Sequence, residues 1–110
     1  MLYATNLRAA RARRFERHTL AARDLATRFE RDQTPQTLDV AVSAARAAIA
    51  DVPDDEPRRW VTWSDLSNVL RLRYELLGHD GDLDESASAA RRALALTAPG
   101  AAAVPGQHVP

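Results

Sequence analysis

The chain of 110 residues contains no cysteine and no lysine, and its formal net charge is zero. The lack of cysteine excludes disulfides, zinc–thiolate sites, iron–sulfur clusters and a cysteine nucleophile within this chain. Balanced charge implies no whole-molecule attraction to nucleic acid or to a membrane. No run approaches the ~20 apolar residues of a membrane span, and the opening MLYATNLRAARARR lacks the apolar core of a secretory signal. We therefore expect a cytoplasmic protein without a membrane partner.

Signals for β-strands are nearly missing, because no stretch alternates apolar and polar residues with β-branched or aromatic enrichment. Alanine, arginine and leucine dominate, and all three favour helices. The sequence predicts an all-α protein with four helices: Thr5 or Asn6 to Arg31, Pro35 to Asp51, about Pro57 to just before Gly78, and about Leu83 to Thr97. Residues 98–110, APGAAAVPGQHVP, show no periodicity and predict a disordered tail.

An internal repeat is visible when the chain is shifted by 45 residues. The segment LATRFERDQTPQTLDVAVSAARAAIA (25–50) then lies over LRLRYELLGHDGDLDESASAARRALA (70–95) without a gap. The identical pairs include Leu25/Leu70, Arg28/Arg73, Glu30/Glu75, Leu38/Leu83, Asp39/Asp84 and Arg46/Arg91. A period in this range predicts stacked helical hairpins. We expect one helical-repeat domain, 1–97, with copies at about 13–53 and 58–99.

At these residues the chain resembles the tetratricopeptide family of helical repeats. The family's apolar or small landmarks fall on Leu25, Phe29, Ala41, Ala45 and Ala48 with Pro53, and again on Leu70, Tyr74, Ser86, Ala90 and Ala93 with Pro99. The period departs from the standard 34 residues. Ser86 stands where alanine is usual, and Pro99 comes one place late.

The chain is most similar to a long-period variety of this family, common in actinobacterial proteins, in which such arrays accompany CHAT peptidase domains or signalling ATPases. The strings LSNVLRLRYELLG and DLDESASAARRALALT carry this similarity. It implies two stacked antiparallel hairpins acting as a non-catalytic scaffold that binds another protein or a peptide. Two repeats are fewer than the ~3 usually needed for stability. We therefore expect a fragment or accessory of a larger signalling protein, a divergent remnant, or a self-associating unit.

The third predicted helix has two apolar faces and one polar ridge. Trp60, Trp63, Leu66, Leu70, Tyr74 and Leu77 form one face, and Val61, Val69, Leu72 and Leu76 form the other. Two apolar faces indicate packing on both sides, since a surface helix needs only one. The ridge consists of Ser64, Asn68, Arg71 and Glu75. It is a candidate protein-binding surface, and a solvated face is the alternative.

The acidic stretch GHDGDLDE (78–85) admits two interpretations. Asp80, Asp82 and Asp84 have the spacing of a calcium loop, but the glycine and the final glutamate that such a loop requires are Glu85 and Arg91 here. Asp82 followed three residues later by Glu85 instead matches a capping box, which predicts that these two residues cap the fourth helix. We predict no metal site and no cofactor.

The two copies also share a pattern of charged residues, whereas catalytic residue patterns are missing from the sequence. Both copies keep an Arg and an Asp eleven residues apart, which predicts structural ion pairs Arg28–Asp39 and Arg73–Asp84 between the helices of each hairpin. The histidines at 18, 79 and 108 are far apart, and no Ser/His/Asp or paired-carboxylate arrangement is visible. We therefore expect no enzymatic activity.

The arginine-rich segment LRAARARRFER (7–17) supports an alternative function. A small regulatory protein could bind nucleic acid through this helix. Its arginines do not share one face cleanly, and no aromatic residues alternate with them for base stacking. Nucleic acid is therefore the less favoured partner.

Overall fold

The prediction of an all-α protein is confirmed. The computed structural model describes the backbone of residues 2–97 and the side chains of residues 6–97. The described part contains four helices and no strand: α1 Leu2–Asp32, α2 Pro35–Asp51, α3 Arg59–Leu77 and α4 Asp80–Thr97. The predicted tail, 98–110, lies outside the described residues.

The four helices form two antiparallel hairpins that stack side by side. α1 packs along α2, α3 packs along α4, and α2 joins the hairpins by packing on α3, whereas α1 meets α3 over a short stretch. The radius of gyration is 15.7 Å, above the ~13 Å of a compact domain of 100 residues. The extents of 44 × 40 × 21 Å describe a flat slab about two helices thick.

Both hairpins turn with the same local geometry at positions 45 residues apart. Gln33 (φ 54°) and Gly78 (φ 66°) adopt the left-handed conformation directly after α1 and α3. In each case the backbone N–H donates to the carbonyl four residues earlier, Phe29 or Tyr74, at 2.8 Å. The next helix then begins two residues on, at Pro35 or Asp80. The repeat seen in the sequence is therefore a repeat of backbone structure.

The core lies between the two hairpins. Its main buried cluster draws on all four helices and consists of Ala22, Ala41, Val42, Ala45, Leu66, Val69, Leu70 and Ala89. Leu38 and Leu70 are fully buried. Small residues dominate on α1 and α2, so those two helix backbones approach each other closely, while the larger side chains come mostly from α3.

Small residues also set the helix crossings within each hairpin. Ala22 and Ala41 are both buried between α1 and α2. At the equivalent positions of the second hairpin, Ser67 and Ser86 exchange hydrogen bonds, each hydroxyl donating to the other residue's carbonyl oxygen at 2.9 and 2.8 Å. Ser86 is therefore a small packing residue whose hydroxyl is satisfied, at the position where the first hairpin has Ala41.

Three predicted boundaries are shifted. α1 begins at Leu2, α3 at Arg59 after a turn at 57–58, and α4 at Asp80 rather than at Leu83. α4 begins earlier than predicted because the tight turn at Gly78 leaves the His79 carbonyl free to accept the first helical hydrogen bond. This bond comes from the Asp82 N–H at 3.1 Å. The second predicted apolar face of α3 is covered only in part, because Val69 is buried but Leu76 is 42% exposed.

Candidate protein-binding groove

A groove opens between the first helices of the two hairpins, where α1 and α3 diverge. Its volume is about 440 Å³, within the ~300–1,000 Å³ range of ligand pockets. The lining comes from α1, the loop 52–58 and the start of α3: Ala12, Phe15, Glu16, Thr19, Leu20, Arg23, Pro53, Glu56, Arg58, Val61 and Thr62. We call this the α1–α3 groove. The sequence did not predict it, because its residues come from three separate segments.

The floor of the α1–α3 groove is apolar. Phe15 and Val61 are half-buried, and Leu20 is 61% exposed at its side. Exposed leucines contribute little to the monomer's stability, but they are favourable anchors when a partner covers them.

The loop 52–58 closes one end of the groove and is held in place by α1. Arg11 donates from Nε to the Asp51 carbonyl at 3.2 Å and from Nη2 to the Val52 carbonyl at 2.9 Å. Arg14 and His18 approach the Asp51 carboxylate at 3.4 and 3.6 Å. The guanidinium groups of Arg11 and Arg14 lie at the negative end of the α2 dipole, and α2 has no basic residue in its own last turn.

Charged side chains of both signs form the rim. Glu56 accepts a hydrogen bond from the Arg58 backbone N–H at 3.1 Å, which fixes the loop where α3 begins. Arg23 of α1 donates to Asp65 of α3 at 3.0 Å and bridges the groove at its other end. A further depression, lined in part by Arg8, Asp54 and Asp55, continues the groove past the end of α2. A partner with charges of both signs fits this rim.

Thr19 carries an unsatisfied hydroxyl beneath the groove. Its Oγ1 is buried without a hydrogen-bond partner among the described residues. Such a group destabilises a fold by about 1–3 kcal/mol relative to a satisfied one.

The predicted ridge on α3 lies beside the groove and does not line it. Ser64, Asn68, Arg71 and Glu75 are all exposed. Arg71 donates to the Asn68 side chain at 2.7 Å and to Glu75 at 3.2 Å, so three of the four are already linked to one another. The ridge stays a predicted binding surface, although these internal bonds reduce what it offers to a partner.

The predicted ion pairs are corrected by the geometry. Arg73 does not pair with Asp84. It donates in bidentate fashion to Asp82 at 2.7 and 2.8 Å, and to Asp39 of the other hairpin at 3.2 Å. Arg28 contacts Asp24 at 3.5 Å instead of Asp39. The reason is that an α2 carboxylate faces the following hairpin, so Asp39 meets Arg73 rather than Arg28.

The predicted cap is corrected too. Asp82 lies inside the first turn of α4, is 4% exposed, and uses its carboxylate on Arg73 rather than on the α4 backbone. The hydrogen bonds from Arg73 hold the pKa of Asp82 below its usual value of 3.8, and Asp82 in turn raises the pKa of Arg73. Glu85 accepts from Arg46 of α2 at 3.1 Å. Both acids therefore link helices instead of capping one.

The arginine-rich start of α1 is only partly available to a ligand. Arg11 and Arg14 contact the end of α2. Arg8, Arg13 and Arg17 are exposed. Arg11 and Arg14 direct their hydrogen-bond donors to backbone and carboxylate oxygens at the end of α2. Fewer guanidinium groups are therefore free to meet a phosphate backbone than the sequence indicates.

Comparisons with known proteins give no assignment. No family model, no curated protein and no solved structure matches the chain. In the part of the chain that the structure describes, no helix has the length and apolar character needed to cross a membrane. Residues 6–97 likewise bring together no set of three or more His, Asp or Glu side chains suited to a metal ion.

Proposed function

We propose that this chain is a non-catalytic helical-repeat scaffold of the tetratricopeptide type, which binds a short segment of another protein in the α1–α3 groove. One observation carries the proposal: an open groove with an apolar floor runs between the equivalent first helices of two stacked hairpins. The sequence resemblance to long-period repeats supports the same function, including a role beside a larger signalling protein.

The groove favours a particular kind of partner segment. An apolar side chain would cover Phe15, Leu20 and Val61. Flanking charges of both signs would face Arg23 at one end and the carboxylates of Asp54 and Asp55 at the other. Apolar anchors supply most of the affinity of such complexes, and rim charges supply orientation.

Random peptides displayed on phage and selected on the full chain test this proposal. Enriched peptides should carry an apolar residue flanked by charges, and fluorescence anisotropy should show at least about tenfold weaker binding to Leu20→Glu. Val40→Glu is the matched control, because Val40 is 54% exposed on the outer side of α2 and far from the groove.

Two other outcomes would assign the function elsewhere. If Arg71→Ala weakens binding and Leu20→Glu does not, the ridge on α3 is the binding surface. If the chain enriches no peptide but shifts DNA or RNA with a steep loss of affinity at higher salt, the nucleic-acid alternative replaces the scaffold. In that case replacing Arg8, Arg13 and Arg17 by alanine should abolish the shift.

A further inference from the structure

We propose that the outer face of α4 binds α4 of a second copy of this chain, antiparallel and about a two-fold axis. The face consists of Leu83, Ala87, Ala90 and Leu94, with Asp84 and Arg91 along one edge; we call it the α4 face. The inference goes beyond the proposed function and does not depend on it, since the α1–α3 groove lies elsewhere.

The α4 face repeats a face of α2 that is already covered. Shifted by 45 residues, its apolar positions are Leu38, Val42, Ala45 and Ile49, spaced i, i+4, i+7 and i+11 along α2. Val42, Ala45 and Ile49 pack into the cluster that joins α2 to α3, and Leu38 is 0% exposed. On α4, by contrast, Leu83 is 48% exposed and Leu94 is 69% exposed. The α4 face thus keeps the sequence of a packing face, and no helix among residues 2–97 covers it.

The edge charges show the same difference. On α2, Asp39 binds Arg73 at 3.2 Å and Arg46 binds Glu85 at 3.1 Å, both on the following hairpin. Their equivalents on α4 are Asp84 and Arg91, which are exposed and have no ion-pair partner among the described residues. A helix that covers the α4 face should therefore offer one cation and one anion.

The α4 helix of a second copy offers both the cation and the anion that the α4 face requires. In an antiparallel pair centred between residues 88 and 89, Leu83 lies opposite Leu94 of the second copy, and Ala87 lies opposite Ala90. Small central residues allow the helices to approach closely. Asp84 and Arg91 are seven residues apart on one edge, so a two-fold axis brings each beside the opposite charge of the other copy.

The first helix of a second copy fits less well. The α1 positions equivalent to the α3 residues that cover α2 are Arg17, Ala21, Asp24 and Arg28, where α3 has Thr62, Leu66, Val69 and Arg73. Arg28 could meet Asp84, but the residue equivalent to Glu85 is Val40, which offers Arg91 no anion. Covering the α4 face with α1 would also bury charge without a partner.

Sedimentation equilibrium of the full chain over a wide concentration range tests the proposal. We expect a reversible monomer–dimer equilibrium, in the micromolar range because a two-helix interface is small. Leu94→Glu should weaken the dimer at least about tenfold. Val40→Glu should leave it unchanged, and circular dichroism should show every variant fully helical, because the changed residues are exposed in the monomer.

Charge reversal tests the antiparallel arrangement. Asp84→Arg and Arg91→Asp should each weaken self-association, while the double variant, and an equimolar mixture of the two single variants, should recover it. Three results would overturn the proposal: a monomer at every concentration, no recovery in the double variant, or an Arg28→Asp variant that dissociates as readily as Asp84→Arg. The last result would indicate head-to-tail stacking instead.

Discussion

Arg73 and its two carboxylate partners give the sharpest prediction about stability. The Arg73 and Asp82 side chains are 13% and 6% exposed, and two hydrogen bonds of 2.7 and 2.8 Å join them. Asp39 adds one contact at 3.2 Å from a side chain that is 55% exposed. Arg73 lies on α3, so its guanidinium group links α3 to α4 through Asp82 and to α2 through Asp39.

Removing Asp82 should be costly because Arg73 stays buried with one exposed partner. Breaking a buried pair by deleting one member costs about 3–5 kcal/mol, and the remaining contact to Asp39 places this case near 3 kcal/mol. Asp82→Ala should therefore lower the melting temperature by about 15 °C, at ~4–8 °C per kcal/mol for a domain of this size. Asp39→Ala should cost at most about 1 kcal/mol, since its carboxylate is largely solvated.

The measurement is urea unfolding of the full chain, followed by circular dichroism, with Asp84→Ala as the matched control. Asp84 lies two residues further along α4 and is exposed, so at protein concentrations low enough to keep the chain monomeric its loss should change stability by no more than about 0.5 kcal/mol. A double-mutant cycle should give coupling between Arg73 and Asp82 and none between Arg73 and Asp84. Equal effects of the two aspartate variants would refute this view of the junction.

Three further predictions concern the turns, the groove lining and pH. Gly78→Ala should destabilise the chain by about 1 kcal/mol in thermal unfolding, because Gly78 is left-handed; a Cβ there would meet no atom within 4 Å, so only the backbone conformation opposes the change. Gln33→Gly should stabilise the chain by less than about 1 kcal/mol, because it relieves the left-handed conformation but removes the hydrogen bonds from Gln33 Nε2 to the Phe29 and Glu30 carbonyls at 3.2 and 3.3 Å. Thr19→Val should raise the melting temperature by removing a buried hydroxyl without a partner; a lower value would show that the hydroxyl is satisfied in solution. Because the folded pKa of Asp82 is lowered from 3.8, the stability it provides is fully present above that pH and is lost as the pH falls through the folded pKa. Acid unfolding curves should therefore be less steep below about pH 4 for Asp82→Asn than for the wild type, and identical slopes would contradict this.

Much of the fold was predictable because it depends on local signals. Pro35 preceded by Thr34 marks the start of α2, and Gly78 marks the end of α3; both positions agree with the structure. The start of α4 was predictable as well, since Pro35 shifted by 45 residues is Asp80. The capping-box spacing of Asp82 and Glu85 led to a later start, although the repeat carried the better information.

The side-chain partners were not predictable from spacing along the chain. Asp82 and Asp84 are both acidic and close in sequence, but helical rotation turns Asp82 toward α3 and Asp84 away from it. Which of them meets Arg73 depends on the crossing of α3 and α4. In the same way, Arg11 contacts the end of α2 only because α1 runs past it, and no local pattern separates it from the exposed Arg13.

The α1–α3 groove depends on packing in three dimensions. α1 and α3 are not neighbours in sequence, and their separation is set by α2, which lies between them in the chain and packs on both. Phe15, Leu20 and Val61 therefore come together without any motif that links them. The equivalence of α1 and α3 in the repeat was the only sequence signal for a shared surface.

The most direct test of the scaffold function is an NMR titration of the isotope-labelled full chain with a peptide selected on it. The peptide should shift the amide signals of Phe15, Thr19, Leu20 and Val61 and the methyl signals of Thr19, Leu20 and Val61. The shifts of Phe15, Thr19 and Val61 should disappear in Leu20→Glu, and all of them should persist in Val40→Glu. Shifts confined to Ser64, Asn68, Arg71 and Glu75, or to the α4 face, would contradict binding in the α1–α3 groove.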